Sequence, residues 1–121
     1  MTPLLWLAVT AIGGTGSVVR FLADGLVSSS TGRAFPYGTL AINISGALIL
    51  GFLTGLALGH DQTLLAGTAA VGSYTTFSTW MFETQRLTED RQLGRAAANV
   101  MVSLVLGVAA VALGRWVGMQ L

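Results

Sequence analysis

The residue types best suited to handling an ion are concentrated in one apolar stretch, residues 71–80 (VGSYTTFSTW). Its eight positions from Gly72 to Thr79 hold one glycine and five serine or threonine residues. Serine and threonine compete for backbone hydrogen bonds and glycine weakens a helix, so this run predicts a local break. Hydroxyl groups can donate to an anion, and freed backbone carbonyls can coordinate a cation. Such a run also serves as a helix-to-helix contact, and the residue types leave both interpretations open.

Asn43 is a second candidate, because it lies within an apolar stretch, residues 38–59, that contains no charge. An amide inside a membrane must find hydrogen-bond partners or it costs on the order of a few kcal/mol. It either bonds a neighbouring helix or faces a water-filled path. The sequence supports both functions for this side chain.

Small residues recur along the same stretch at every fourth position. In lipid, helices associate through close packing of small residues, so this spacing predicts a flat contact edge. We expect the glycines of this edge to pack against another helix. The series is Thr39, Asn43, Ala47, Gly51, Gly55 and Gly59.

Four apolar segments must position these residues. Hydrophobic residues make up 53% of the 121 and charged residues only 9%, whereas a water-facing domain carries roughly 25% charged residues. A bilayer core of about 30 Å requires about 20 apolar residues per helix. We therefore predict one all-α membrane domain over residues 1–121, with a polar turn from Asp24 to Tyr37 as its longest connection. The predicted spans are about 4–22, 38–59, 63–82 and 96–114.

The chain lacks the residues that several classes of function require. The chain has no cysteine, so disulfides and thiolate metal sites are excluded. A formal net charge of +1 gives no electrostatic basis for binding nucleic acid. The one histidine, His60, lies beside Asp61 in a connection without a nucleophile partner, so we do not expect an enzyme.

Arginine placement indicates how the chain inserts. If the four spans alternate in direction, the first and third connections share one side with Arg20, Arg33, Arg86, Arg91 and Arg95, which is five arginines against Arg115 alone. Cytoplasmic loops carry the excess of basic residues. The bias predicts that both termini lie outside, and it remains four to one if Arg20 is a structural part of its helix.

Three motifs in order resemble the Fluc (CrcB) fluoride channel family. Residues 13–21 (GGTGSVVRF) resemble that family's glycine-rich first helix, which ends in arginine. Residues 37–46 (YGTLAINISG) resemble its second-helix motif, and residues 75–79 (TTFST) resemble the core of its third-helix signature. The likeness covers nearly the whole chain.

The resemblance implies a fluoride-selective channel that lets fluoride leave the cell through the inner cell membrane. It implies two subunits packed antiparallel, each with a broken third helix, and two narrow paths along their interface. It also implies that Asn43 contacts fluoride through its amide, that Phe77 offers its ring edge, and that Ser78 and Thr79 supply hydroxyl donors. A structural sodium ion would be held by the backbone carbonyls of Gly72 and Thr75 from both subunits.

Two positions depart from the family pattern. Trp80 stands where the family usually has a second phenylalanine; its larger ring still presents an aromatic edge to the path. The family's polar row on the fourth helix continues here through Asn99 and Ser103 but ends at Gly107 and Val111. We count Trp80 and Ser103 among the expected path residues.

Other functions remain as alternatives. The arginine bias fits a subunit of fixed orientation that pairs with a related chain rather than with itself. A purely structural subunit of a larger complex predicts no ion flux by the protein alone. A small proton-coupled multidrug exporter requires an acidic residue inside the membrane, and Glu83 comes only at the end of the third span.

Overall fold

The computed structural model describes all 121 residues, and they form helices and no strands. Three helices are long and apolar enough to cross a membrane. They are α1 (Pro3–Thr31), α2 (Tyr37–Gly55) and α6 (Leu93–Met119). Shorter elements lie between α2 and α6: α3 (His60–Thr63), a π-helix (Leu64–Val71), α4 (Gly72–Tyr74) and α5 (Ser78–Glu89).

Helix α1 extends further than the predicted first span. Composition predicts a polar turn from Asp24, but the chain stays helical to Thr31 and turns at Gly32, where φ is +72°. The hydroxyls of Ser29 and Thr31 donate to carbonyls three or four residues earlier, at 2.8 and 2.9 Å. These polar side chains are therefore satisfied within the helix, which is why a turn-like composition failed to end it.

Helices α2 and α6 run parallel and make the most extensive contact between any two helices of the molecule. A Cβ atom built on Gly51 would lie 2.9 Å from the Val111 carbonyl carbon, and one on Gly55 would lie 2.9 Å from the Met119 nitrogen. A Cβ atom on Gly114 would likewise lie 2.9 Å from the Phe52 nitrogen. Glycine is thus required on both sides, because any side chain would push the backbones apart.

The predicted contact edge ends earlier than its spacing suggests. Helix α2 stops at Gly55, and Ala57 adopts a φ of +52° shortly after it. Gly59 therefore lies outside the contact with α6, exposed at the start of α3, where its N–H donates to Gln62 Oε1 at 3.0 Å. Gly118 in α6, outside the predicted span, approaches Gly55 instead, within 3.2 Å of a built Cβ.

The ends of the helices fall into two groups. At one end Arg33 pairs with Asp24 at 3.6 Å, and Arg86 of α5 donates to the Arg33 carbonyl at 3.2 Å. At the other end Gly55 of α2 lies beside Arg115 of α6. Because α2 and α6 are parallel, residues 60–89 must return from the second end to the first.

Candidate functional site

The site is built around a gap in the helical path between α4 and α5. Helix α4 ends at Tyr74, and α5 begins at Ser78. Thr75 is extended, with a ψ of 163°, so the backbone of residues 75–77 leaves the helical path. The side chains of Asn43, Arg20 and Thr76 form hydrogen bonds with backbone groups in and beside this gap.

Asn43 of α2 holds the gap with both ends of its amide. Its Nδ2 donates to the Thr76 carbonyl at 2.8 Å, and its Oδ1 accepts from the Thr76 N–H at 2.9 Å. In a continuous helix the Thr76 N–H would bond the Gly72 carbonyl, so Asn43 leaves that carbonyl without its helical donor. The second hydrogen on Nδ2 stays available for another acceptor.

Arg20 of α1 supplies a positive charge to the same gap. Its Nη1 donates to the Thr75 carbonyl at 3.0 Å, although the two residues are 55 positions apart. The one salt bridge in the chain is Arg33–Asp24, so the charge of Arg20 is balanced by no carboxylate within 4.0 Å. An unpaired guanidinium beside freed backbone favours an anion nearby.

Hydroxyls complete the local structure on either side of the gap. Thr75 Oγ1 donates to the Val71 carbonyl at 3.0 Å. Thr76 Oγ1 accepts from the Thr79 N–H at 3.2 Å and so caps the first turn of α5. Ser45 and Tyr74 share a hydroxyl–hydroxyl bond of 2.9 Å that ties α2 to the end of α4.

A groove of about 940 Å³ opens beside the gap and is lined by α2, by α6 and by residues 63–80. It collects most of the residues that the sequence indicates: Asn43, Gly72, Thr75, Phe77, Trp80 and Ser103. Ser78 and Thr79 are not part of its lining; they lie exposed in the first turn of α5. Arg115 lines the groove as well, at the end where α6 meets the C-terminus of α2.

The two aromatic residues of the groove meet edge to face. The ring centroids of Phe77 and Trp80 are 5.8 Å apart and the ring planes are 83° apart. Phe77 is 70% exposed, so its ring edge is open. The indole N–H of Trp80 is occupied, since it donates to the Asn99 carbonyl of α6 at 3.0 Å. Trp80 therefore contributes an aromatic ring to the groove, whereas its N–H is already hydrogen-bonded to the backbone of α6.

The carbonyls of Gly72 and Thr75 suit a cation to different degrees. Gly72 is exposed to the groove, and its carbonyl has lost its helical donor to Asn43. The Thr75 carbonyl has a second lone pair but already accepts from Arg20, whose charge repels a cation. Two chains would provide four such carbonyls, enough oxygen ligands to contribute to a sodium site.

The sequence gives no signal of three long-range contacts, two of them at the gap and one at the Arg33 end of the molecule. The motif at residues 75–79 predicts no role for Thr76, and the sequence places Arg20 only at the end of the first span. Thr39 of α2 hydrogen-bonds to Glu83 of α5 near the Arg33 end of the molecule. All three act through contacts more than 30 positions apart in the chain, and spacing along a single helix carries no signal of such pairings.

Comparison with known proteins identifies related sequences. The sequence model of the family described as CrcB-like protein, Camphor Resistance (CrcB), matches residues 7–115. A protein of Mycobacterium tuberculosis (strain ATCC 25618 / H37Rv) named fluoride-specific ion channel FluC 2 is 61% identical over 117 residues, which cover 97% of this chain and 93% of that protein.

More distant relatives carry related names. Fluoride-specific ion channel FluC 1 of Leifsonia xyli subsp. xyli is 43% identical over 122 residues, covering 98% of this chain and 89% of that protein. Fluoride-specific ion channel FluC of Syntrophotalea carbinolica is 40% identical over 123 residues, covering 98% of both chains. These names denote ion channels and not enzymes, which agrees with the expectation from His60.

Proposed function

Because this chain belongs to the CrcB-like family, we propose that it is a subunit of a fluoride-selective ion channel. The channel lets fluoride leave the cell passively and so protects the cell from its toxicity. The observation that carries the proposal is the groove beside residues 75–77, which brings together the Asn43 amide and the exposed ring of Phe77. The unpaired Arg20 guanidinium bonds to the carbonyl of Thr75, one of the residues that line this groove. A small, strongly hydrated anion needs such donors in place of its water shell.

The groove supports a dimer. Asn43, Thr75 and Ser103 line an open face that also carries the exposed ring of Phe77. Lipid tails cannot satisfy polar groups, and irregular backbone at membrane depth persists only where protein or water covers it. A second subunit on this face would enclose a narrow path on each side of the interface. The partner is a second copy packed antiparallel, or a related chain of opposite orientation.

The direction of residues 60–89 supports a fourth crossing of the membrane. This segment connects the Gly55 end of α2 with the start of α6 at the opposite end, so it passes along the whole bundle. A crossing interrupted at residues 75–77 would bring freed backbone and hydroxyls close to the bilayer centre. The chain would then be a four-span protein of the inner cell membrane with its third span broken.

A sodium ion would fit at the dimer centre. It would be held by the Gly72 carbonyls, with the Thr75 carbonyls as weaker ligands because each also accepts from Arg20. When bound, the ion adds positive potential and cross-links the two interrupted segments. The residues of this chain that shape such a site are Asn43, which frees the Gly72 carbonyl, and Arg20, which orients Thr75.

The acidic residues argue against proton-coupled export. Glu83 lies in α5 beyond the gap and bonds to Thr39 at the Arg33 end. The groove lining contains no Asp or Glu. Exchange of a proton for a cationic substrate would need such a group in the path.

The test is fluoride efflux from liposomes that contain only this purified chain, followed with a fluoride electrode and repeated with chloride. Rapid loss of fluoride with retention of chloride is the expected result. Empty liposomes set the leak rate. If folded protein releases no fluoride, co-reconstitution with a related chain separates a heterodimeric channel from a structural subunit, because only the former regains flux.

A further inference from the structure

Two polar atoms of α6 are buried and bonded to no protein group. They are Oδ1 of Asn99 and Oγ of Ser103. Asn99 is 1% exposed and Ser103 is 8% exposed. A buried acceptor without a donor destabilises the folded chain, so this pair is unfavourable unless a ligand hydrogen-bonds to it.

The orientation of the Asn99 amide follows from its other contacts. Thr84 Oγ1 donates its hydrogen to the Trp80 carbonyl at 2.8 Å, so it can only accept from Asn99, which lies 2.8 Å away. The Trp80 carbonyl, 3.4 Å from the same amide nitrogen, is also an acceptor. The side-chain nitrogen of Asn99 must therefore face α5, and the unbonded atom is the side-chain oxygen, Oδ1.

Ser103 lies four residues after Asn99 and thus on the same face of α6, with Cβ atoms roughly 5–6 Å apart. Ser103 also lines the groove, whereas Asn99 is buried and is not part of the lining. The pair therefore places an unbonded acceptor and an unbonded hydroxyl about one helical turn apart on the same face of α6.

We propose that Asn99 Oδ1 and Ser103 Oγ bind one water molecule that forms part of the wall of the ion path. Water matches the pair because it donates one hydrogen to Oδ1 and exchanges a hydrogen bond with the hydroxyl. Fluoride does not match, since the carbonyl oxygen of Asn99 is an acceptor and repels an anion. A side chain of a partner subunit cannot reach Asn99, because this residue is buried within its own chain.

The second hydrogen of this water remains free to point to the groove. There it supplies a donor close to Trp80, whose own N–H is bonded to the backbone carbonyl of Asn99. The water would therefore provide the groove with a hydrogen-bond donor in place of the indole N–H of Trp80, which is already bonded. The water site itself is independent of the proposed function, whereas its role toward fluoride rests on it.

The test of the site is a crystal structure of the full chain in lipid at a resolution that shows ordered water. The expected result is a density peak about 2.6–3.2 Å from both Asn99 Oδ1 and Ser103 Oγ. Ser103→Ala should remove or displace that peak. The matched control is Ser17→Ala, because Ser17 is exposed on α1 and donates within its own helix to Gly13 at 3.2 Å.

The same variants tested for efflux separate the site from its role. We expect Ser103→Ala to release fluoride about fivefold more slowly, corresponding to one lost hydrogen bond, and Ser17→Ala to match the unmodified chain. No density between the two atoms, or a protein donor bound to Oδ1, overturns the site even if fluoride flows. Density with unchanged efflux in Ser103→Ala overturns the role. Density in a chain that releases no fluoride, either alone or co-reconstituted with a related chain, supports the site and overturns the proposed function instead.

Discussion

Asn43 shows how much one side chain contributes to this molecule. The sequence leaves open whether its amide bonds a neighbouring helix or faces a path. In the structure it bonds the backbone of Thr76 through both amide atoms and also lines the groove. The two interpretations are therefore compatible, because one amide hydrogen remains after both bonds are made.

Asn43→Asp should abolish most fluoride efflux. The carboxylate has nearly the same size and still accepts from the Thr76 N–H, but it cannot donate to the Thr76 carbonyl and it repels anions. We expect efflux at least about tenfold slower and unfolding easier by about 1–3 kcal/mol, measured in liposomes and by thermal unfolding in detergent. Gln120→Glu, an exposed amide-to-acid change near the C-terminus, is the control. Unchanged efflux in Asn43→Asp would remove this residue from the path.

Trp80→Phe tests the aromatic position at which the chain departs from the family pattern. The substitution removes the bond from the indole to the Asn99 carbonyl, at a cost of about 1 kcal/mol in stability. Because the smaller ring takes less of the groove, we expect fluoride efflux at least as fast as before. Trp116→Phe, at an exposed position in α6, should change neither quantity. Loss of efflux from folded Trp80→Phe would show that conduction requires the indole.

At the scale of the elements, the parallel contact of α2 and α6 forms the rigid part of the molecule. Glycines on both helices allow the two backbones to touch, and this contact forms one side of the groove. The interrupted segment is held against this pair by Asn43, by the Ser45–Tyr74 bond and by the Trp80–Asn99 bond. The freed backbone groups of Thr75 and Thr76 are satisfied by side chains of the regular helices α1 and α2, which lie on one side of this segment.

Gly114→Ala should destabilise this contact. The added Cβ would meet the Leu48 and Phe52 backbone, which cannot move without separating the helices. Overpacking of this kind costs about 1–3 kcal/mol, measurable as a lower unfolding temperature in detergent. Gly25→Ala in α1 has nothing within 4 Å and should be neutral or stabilising by about 0.5–1 kcal/mol. Equal stability of the two variants would contradict the assigned contact.

At the scale of the whole molecule, charge is distributed unevenly between the two ends. Arg33 and Arg86 meet at one end, α6 begins near Arg91 and Arg95, and Arg115 lies at the other end. Arg20 bonds to the Thr75 carbonyl inside the bundle, so it does not count as a connecting-loop charge. The resulting bias of four to one favours one orientation over equal insertion in both.

We therefore expect a reporter fused to the C-terminus to be found outside the cytoplasm when this chain is expressed without a relative. Arg91→Gln combined with Arg95→Gln should shift part of the population to the opposite orientation, because it lowers the bias to two against one. Gln85→Ala combined with Gln120→Ala alters two exposed polar residues without changing charge and should leave orientation as it was. Equal labelling from both sides of the unmodified chain would favour a dual-topology homodimer.

Composition and the spacing of apolar residues predict a helical membrane protein, and the resemblance of three short motifs indicates the family to which it belongs. Charge content decides whether a surface can face water, and the motifs at residues 13–21, 37–46 and 75–79 are local strings. The hydroxyl-rich run also indicated where regular helix would stop, since glycine, serine and threonine weaken a helix through local bonds.

The partners of the functional side chains depended on how the helices pack. Nothing along α2 indicates that Asn43 bonds Thr76, or that the carbonyl of Thr75 accepts from Arg20. Gly59 continued the spacing of Gly51 and Gly55 but lies beyond the end of α2, while Gly118 completes the contact from α6. Such pairings join residues far apart in the chain. They arise because buried polar groups and small surfaces must be matched across helices, a requirement that the period of one helix does not encode.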